Sequence, residues 1–593
     1  ANREIKGNFL PHVDKYTIPY DTIPAYANKA KMIYEFDAAD ILQSNIYPAI
    51  VRSFREAGFQ WATQFAYDPM AIAYANTEYQ THYMNLAYTP SKALSLMIAS
   101  KAFHNLPRLK NFGRHPADTT FGAFRVSYKE NLSEMNSASE FYYSNSTRTR
   151  PVNIKALKNI AGVGSSTVVN YNGYGAYFID KLEDGVWRLE LMPDAISVRD
   201  PFEKASLSKE VTRIQWQDQE MQIFLPDLKG DFSIKAVNDG NTRVEQAKNS
   251  GFRVYPGTYL LVRKGKSSAR WTSGTAIKNL KLDEFVAPTP INNDIYLTHQ
   301  PFTELTAGKP VRLAAKIVGA DHETKVTLYA NNLAGEYKTI EMVPQTAYDF
   351  IAELPAELLS PGQLNYRIVI QKGSDYAVFP GNHKGNPFAW DNYINETWQS
   401  FIAAPNSGLE LFNPSNDRNI TAYPIVWRGD VKSTFISGSK PNQLIWSIAA
   451  NKLSEEHTLG MQCFVADKIK GRAEELSSFN KLVIRARSGN PESLLRARIT
   501  LIDKDAAAFT ASVSLDSTLR EIVIPFADLK PDASMLLPRP YPGFMPLWFK
   551  SSSTAPLNPL NLEKLEITIG SDVAASQFNK PYEIQGESEW VAK

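Results

Sequence analysis

At 593 residues the chain is too long for a single hydrophobic core, and its length corresponds to about three or four domains. A hydrophobic share of 43% and a charged share of 21% are ordinary for a globular protein, and 64 Lys and Arg against 62 Asp and Glu leave a formal net charge of +2. That balance argues against nucleic acid or an anionic membrane surface as partner. The lone Cys463 rules out an intrachain disulfide or a multi-cysteine metal site, and no apolar run is long enough to span a bilayer.

The first element is Lys31-Met-Ile-Tyr-Glu-Phe-Asp37, which reads as a buried apolar strand ending on two carboxylates. Period-two alternation places Ile33, Glu35 and Asp37 on one face and Met32, Tyr34 and Phe36 on the other. Tyr47 to Ala57 reads as a helix with Ile50, Val51 and Phe54 on one stripe and Gly58 as its stop. Phe59-Gln-Trp-Ala-Thr-Gln-Phe-Ala66 is strand-like, and Tyr67-Asp-Pro69 opens a loop. Strand, helix and strand in this order predict a parallel unit whose carboxyl ends form the functional rim, with Glu35, Tyr67 and Asp68 upon it. Thr89-Pro90 then starts a second helix as N-cap and first-turn proline, with Ala93, Leu94, Met97, Ile98 and Phe103 on its apolar face.

From about Phe121 the pattern changes to short alternating runs between Asn, Gly, Asp and Pro, the grammar of a β-sandwich. Ala287-Pro-Thr-Pro290 reads as a linker, and the runs after it space themselves like an immunoglobulin-like module. A loop-rich stretch at Phe379 to Pro387 precedes a larger sandwich. The expected organisation is therefore an α/β part over 1–110, a β-sandwich over 111–286, an immunoglobulin-like domain over 291–376 and a jelly-roll domain over 388–593. Cys463 lies in an alternating strand and reads as an inert core thiol. The eight scattered histidines show no ligand spacing, so neither metal nor other cofactor is expected.

On Ile33-Tyr-Glu-Phe-Asp37 and on Trp61 with Gln64-Phe-Ala-Tyr-Asp68, the first hundred residues resemble the closing quarter of the (β/α)8 barrel of retaining glycoside hydrolases. The sandwiches are similar to accessory modules of bacterial polysaccharide-degrading enzymes, and Phe479 to Arg487 with Ile522 to Leu529 resembles carbohydrate-binding jelly rolls. The resemblance implies a multidomain chain, the C-terminal part of such a barrel followed by β-sandwich, immunoglobulin-like and jelly-roll domains. It implies Glu35 as nucleophile at the end of the seventh strand and a secreted, periplasmic or cell-surface location. That clan's acid/base glutamate follows the fourth strand, and the roughly 30 residues before Glu35 hold only about one βαβ unit's length. The expected partners are thus a polysaccharide or oligosaccharide and an N-terminal fragment completing the barrel.

A retaining nucleophile works with a second carboxyl at about 5 to 5.5 Å. Asp37, about 6 to 7 Å along the same strand, points in parallel with Glu35 and cannot flank a sugar ring, so it is expected as a hydroxyl ligand or loop cap. Trp61 is a candidate stacking platform, and Gln64, Tyr67, Asp68, Asn76 and Glu78 are candidate substrate ligands, with His82 beside them. In the last domain Trp398, Trp427, Trp446, Trp548 and Trp590 are the large rings available to a glycan. The rival expectation is a non-catalytic protein of stacked carbohydrate-binding sandwiches.

Overall fold

The computed structural model describes residues 3–332, 335, 337–424, 431–453, 456–490, 495–540, 543 and 545–593. The chain is multidomain and mostly β. Strand β1 (Met32–Phe36) pairs in parallel with β2 (Trp61–Gln64), joined through helix α1 (Ile46–Glu56). A four-residue helix α2 (Met70–Ala73) follows, then α3 (Pro90–Asn105). Ile50, Val51 and Phe54 are buried as their stripe predicts, and Gly58 at φ +90° turns the chain after α1. Thr89 is the N-cap residue of α3 with Pro90 behind it, but its hydroxyl bonds back to Asn85 and leaves the helix N–H groups uncapped.

Two expectations for β1 are corrected. The strand is not buried: Tyr34 is 79% exposed and Met32 and Glu35 are exposed too, because the sheet has only two strands and no neighbour covers its outer face. Strict alternation also fails, since the register with β2 slips between Ile33 and Phe36. Both residues consequently pack on the helical core, where Phe36 meets Phe54 edge-on at 5.5 Å. Among the described residues no (β/α)8 barrel is evident; this pair is the only parallel sheet with a crossover helix, and closure needs eight parallel strands.

The boundary expected at residue 110 is not a break in the core. Leu94, Ile98, Ala99 and Ala102 of α3 lie in one continuous cluster with Phe121, Phe124, Met135 and Tyr142 of the following sheet. Full burial of each large aliphatic side chain contributes about 1.5–3 kcal/mol, so the helices are held by that sheet rather than by β1 and β2. The sheet itself has ten strands, from Thr120–Phe121 at one edge to Val244–Gln246 at the other, almost wholly antiparallel. Its other face closes with a three-stranded sheet over Trp187, Tyr177, Leu189 and Met221.

After the extended 287–290 stretch, a four-stranded and a seven-stranded sheet enclose Leu313, Ile317, Leu328, Tyr366 and Ile368 in a β-sandwich-like module. Trp398–Ala403 pairs with Gly362–Lys372, so this sheet runs well past residue 376. The last module packs a six-stranded against a seven-stranded sheet around Trp446, Leu482, Ile499 and Ile567. Cys463 is buried in that core, where burial pushes its thiol up, as expected of an inert cysteine.

Three contacts bring the last module back to the start of the chain. Asn8 N–H donates to Glu563 at 3.0 Å, Tyr128 hydroxyl donates to the same carboxylate, and Lys6 pairs with Asp467 at 2.5 Å. The carboxyl end of β1 is thereby held opposite the terminal sandwich.

Candidate functional site

The space between these bodies is a cleft of about 2250 Å³ with three walls. Glu35, Asp37, Phe65, Tyr79 and His82 form the first, Thr298 to Gln300 with Lys316 the second, and Asn419 to Ala422 with Arg539 of the terminal sandwich the third. A parallel pair directs its carboxyl ends toward a ligand, which is the end that opens here.

Glu35 and Asp37 both line the cleft but in different environments. Tyr47 hydroxyl donates to Asp37 Oδ1 at 2.7 Å, and Gln64 Nε2 reaches the same oxygen at 3.4 Å. Asp37 Oδ2 is buried without a hydrogen-bond partner among the described residues. Glu35 is exposed, and among the described residues its side chain has neither hydrogen bond nor ion pair. Gln64, a candidate substrate ligand, instead serves Asp37. Tyr67, another candidate, projects into solvent with its oxygen accepting Leu86 N–H at 2.8 Å.

Asp68 lies beneath the rim. It is fully buried, accepts Met84 N–H at 2.6 Å on Oδ2, and its own backbone oxygen accepts Asn85 Nδ2 at 2.8 Å. Burial raises its pKa to about 6 despite that N–H bond and the nearby Lys92. Asp68 thus clamps the loop ahead of α3 and does not face the cleft. Asn76 is likewise buried at φ +48°, donating to Pro201 O at 3.1 Å, which orders the loop. Glu78 is exposed and outside the cleft lining.

Trp61 does not fill the stacking position. It pairs with Met32 at the amino end of β2, opposite the rim, and is 57% exposed there. The exposed rings on this wall of the cleft are instead Phe65 and Tyr79, with His82 buried beside them. Tyr79 stacks on His82 at 4.9 Å and 21°, while Phe65 meets His82 edge-on at 5.2 Å. Tyr79 and Phe65 remain exposed, and burial lowers the pKa of His82 against the pull of Asp37. Phe65 follows Gln64 and was open to view in the sequence, but nothing there distinguishes it from Trp61 as the ring at the rim.

Lys92 is the residue that sequence pattern hides most completely. It occupies a buried position of α3 with Ser95, Ala99 and Ala102, and its Nζ donates to Ile41 O at 3.0 Å. Burial lowers its pKa while the charges of Asp37 and Asp68 oppose the shift. Of the tryptophans expected to meet a glycan in the last module, Trp446 is core and Trp398, Trp548 and Trp590 are half-buried, while Trp427 lies outside the described residues. Trp398 moreover belongs to the seven-stranded sheet of the preceding module.

The chain matches no family model and no curated protein. Among solved structures it is similar to the family 11 carbohydrate-binding module of a cellulosomal cellulase of Clostridium thermocellum, at 15% identity over 32% of this chain and 94% of that one, TM-score 0.22. A family 30 carbohydrate-binding module aligns at 7% identity over 32% and 99%, TM-score 0.21. An exo-β-agarase aligns at 12% identity over 31% of this chain and 24% of the agarase, TM-score 0.20. At these TM-scores the likeness decides neither fold nor activity.

Among the described residues no group of three or more His, Cys, Asp or Glu is placed to hold a metal ion, and no helix is long and apolar enough to cross a membrane.

Proposed function

We propose that this chain is part of a carbohydrate-active protein that holds a polysaccharide in the three-walled cleft, with Glu35 as the nucleophile of a retaining glycoside hydrolase. The observation that supports it is the opening of the carboxyl end of a parallel β-pair, with Glu35 at its lip and Asp37 fixed by neutral donors, onto a groove flanked by Phe65 and Tyr79. Flat rings beside carboxylates and amides suit a sugar, whose C–H face stacks while its hydroxyls take hydrogen bonds. The acid/base carboxyl that must flank the glycosidic bond is not Asp37, which shares its strand with Glu35. Asp37 positions sugar hydroxyls with Gln64 behind it, whereas Tyr67, Asp68 and Asn76 act by ordering the adjoining loop.

The test exploits a leaving group that needs no acid. A panel of 2-deoxy-2-fluoro glycosides carrying dinitrophenolate should label the full chain on Glu35, located by peptide mapping. A label on another carboxylate overturns the assignment. A chain that binds polysaccharide but is never labelled supports the second reading, a non-catalytic binding protein, which the lack of a donor to Glu35 favours.

A further inference from the structure

The cleft's charges are unevenly committed. Among the described residues seven Lys and Arg side chains line it. Lys6 is paired with Asp467 at 2.5 Å, Arg199 with Glu203 at 2.7 Å and Lys316 with Asp349 at 2.9 Å. On the terminal sandwich, Lys468 is held by Glu410 at 2.8 Å and Asp417 at 2.5 Å, and Arg539 by Glu456 at 2.5 Å. Lys564 is buried with its ammonium over the Phe9 ring. Only Arg3 is left without a carboxylate or a ring among the described residues.

The carboxylates are the reverse case. Glu35, Asp37 and Asp200 line the same space with no ion pair among the described residues; Asp200 accepts the Glu4 and Phe202 N–H groups at 2.9 Å, and Asp37 only neutral donors. The lining histidines supply no compensating charge, since burial lowers the pKa of His12 to about 3 and those of His82 and His299 below the ordinary imidazole value. A sulfated or uronate-containing chain would therefore bring its anions against fixed carboxylates, with almost every nearby cation already engaged. Like charges brought together in a partly desolvated groove select strongly against a partner. The groups still available are hydroxyls, amides and rings, among them Gln300, Asn419 and Thr421 with Phe65 and Tyr79.

We propose that the cleft accepts uncharged polysaccharides and rejects anionic ones. This rests on the cleft being the glycan site, and the experiment separates the two claims. The full chain is run in native gels containing mixed-linkage β-1,3-1,4-glucan, xyloglucan, galactomannan or agarose, and in parallel gels containing alginate, polygalacturonate or κ-carrageenan, at 50 and 500 mM NaCl. Retardation by at least one neutral polymer, changing less than twofold with salt, and affinity for every anionic polymer at least tenfold lower, is the expected result. Retardation by an anionic polymer that high salt abolishes overturns the charge inference and leaves glycan binding standing. Retardation by none of the seven overturns the glycan site and the inference with it.

Discussion

Tyr47, in the first turn of α1, donates its hydroxyl to Asp37 at 2.7 Å, so the helix that covers the parallel pair also fixes the carboxylate at its rim. The phenol is fully buried, and burial together with Asp37 raises its pKa far above the ordinary value, so it remains a donor at every working pH. Asp37 Oδ2 has no hydrogen-bond partner among the described residues, which makes Tyr47 the bond that matters.

Tyr47→Phe should accordingly destabilise the protein by about 1–3 kcal/mol, the cost of stripping a buried carboxylate of its main donor. It should also weaken glycan binding through loss of Asp37 orientation. Urea unfolding and the gel assay measure both; an unchanged midpoint with unchanged retardation would show that Asp37 is held by something else.

Glu35→Gln is expected to behave differently. An exposed side chain without partners contributes little to the fold, so the unfolding midpoint should stay within about 0.5 kcal/mol of the parent. Covalent labelling by the fluoro glycosides should vanish. A large loss of stability would place Glu35 among the structural carboxylates.

The pH dependence of stability carries a signature of Asp68. Its folded pKa of about 6 lies above the ordinary carboxylate value because burial disfavours the charge. Between the two values the folded state binds more protons than the unfolded, so this group's contribution falls as pH rises from about 4 to about 6, by roughly 3 kcal/mol. Asp68→Asn can still accept the Met84 N–H and removes the titration. Its stability relative to the parent should rise across that window and level off above it; a flat difference curve would rule the assignment out.

At the junction of the last two modules, Arg472 is buried and bonded to Glu304 at 3.1 Å, Glu475 at 2.7 Å and two backbone oxygens. Arg472→Met leaves two acids short of their cation and should cost about 3–5 kcal/mol. Lysine should restore little, because a point charge cannot span the four acceptors. Faster proteolysis of the chain between these modules is the corresponding readout, and unchanged cleavage would contradict it.

Much of this protein was legible in the order of its residues. The β1, α1, β2 succession, the start of α3 at Thr89-Pro90 and the change to β modules near residue 120 follow from local periodicity, capping and turn chemistry, which act over a few residues. Glu35 and Asp37 at the end of β1 were visible for the same reason. What needed the tertiary structure was everything that depends on distant neighbours. The slip between Ile33 and Phe36 exchanges faces because both side chains find the α1 core. Strand β1 is exposed because only one strand pairs with it, and no local pattern counts strands. Lys92 can be buried because the backbone oxygen of Ile41, from outside its helix, accepts its ammonium. The cleft itself joins residues more than 350 positions apart, held by Asn8 and Lys6 against Glu563 and Asp467, and contacts at that separation are set by packing of whole modules rather than by any local preference.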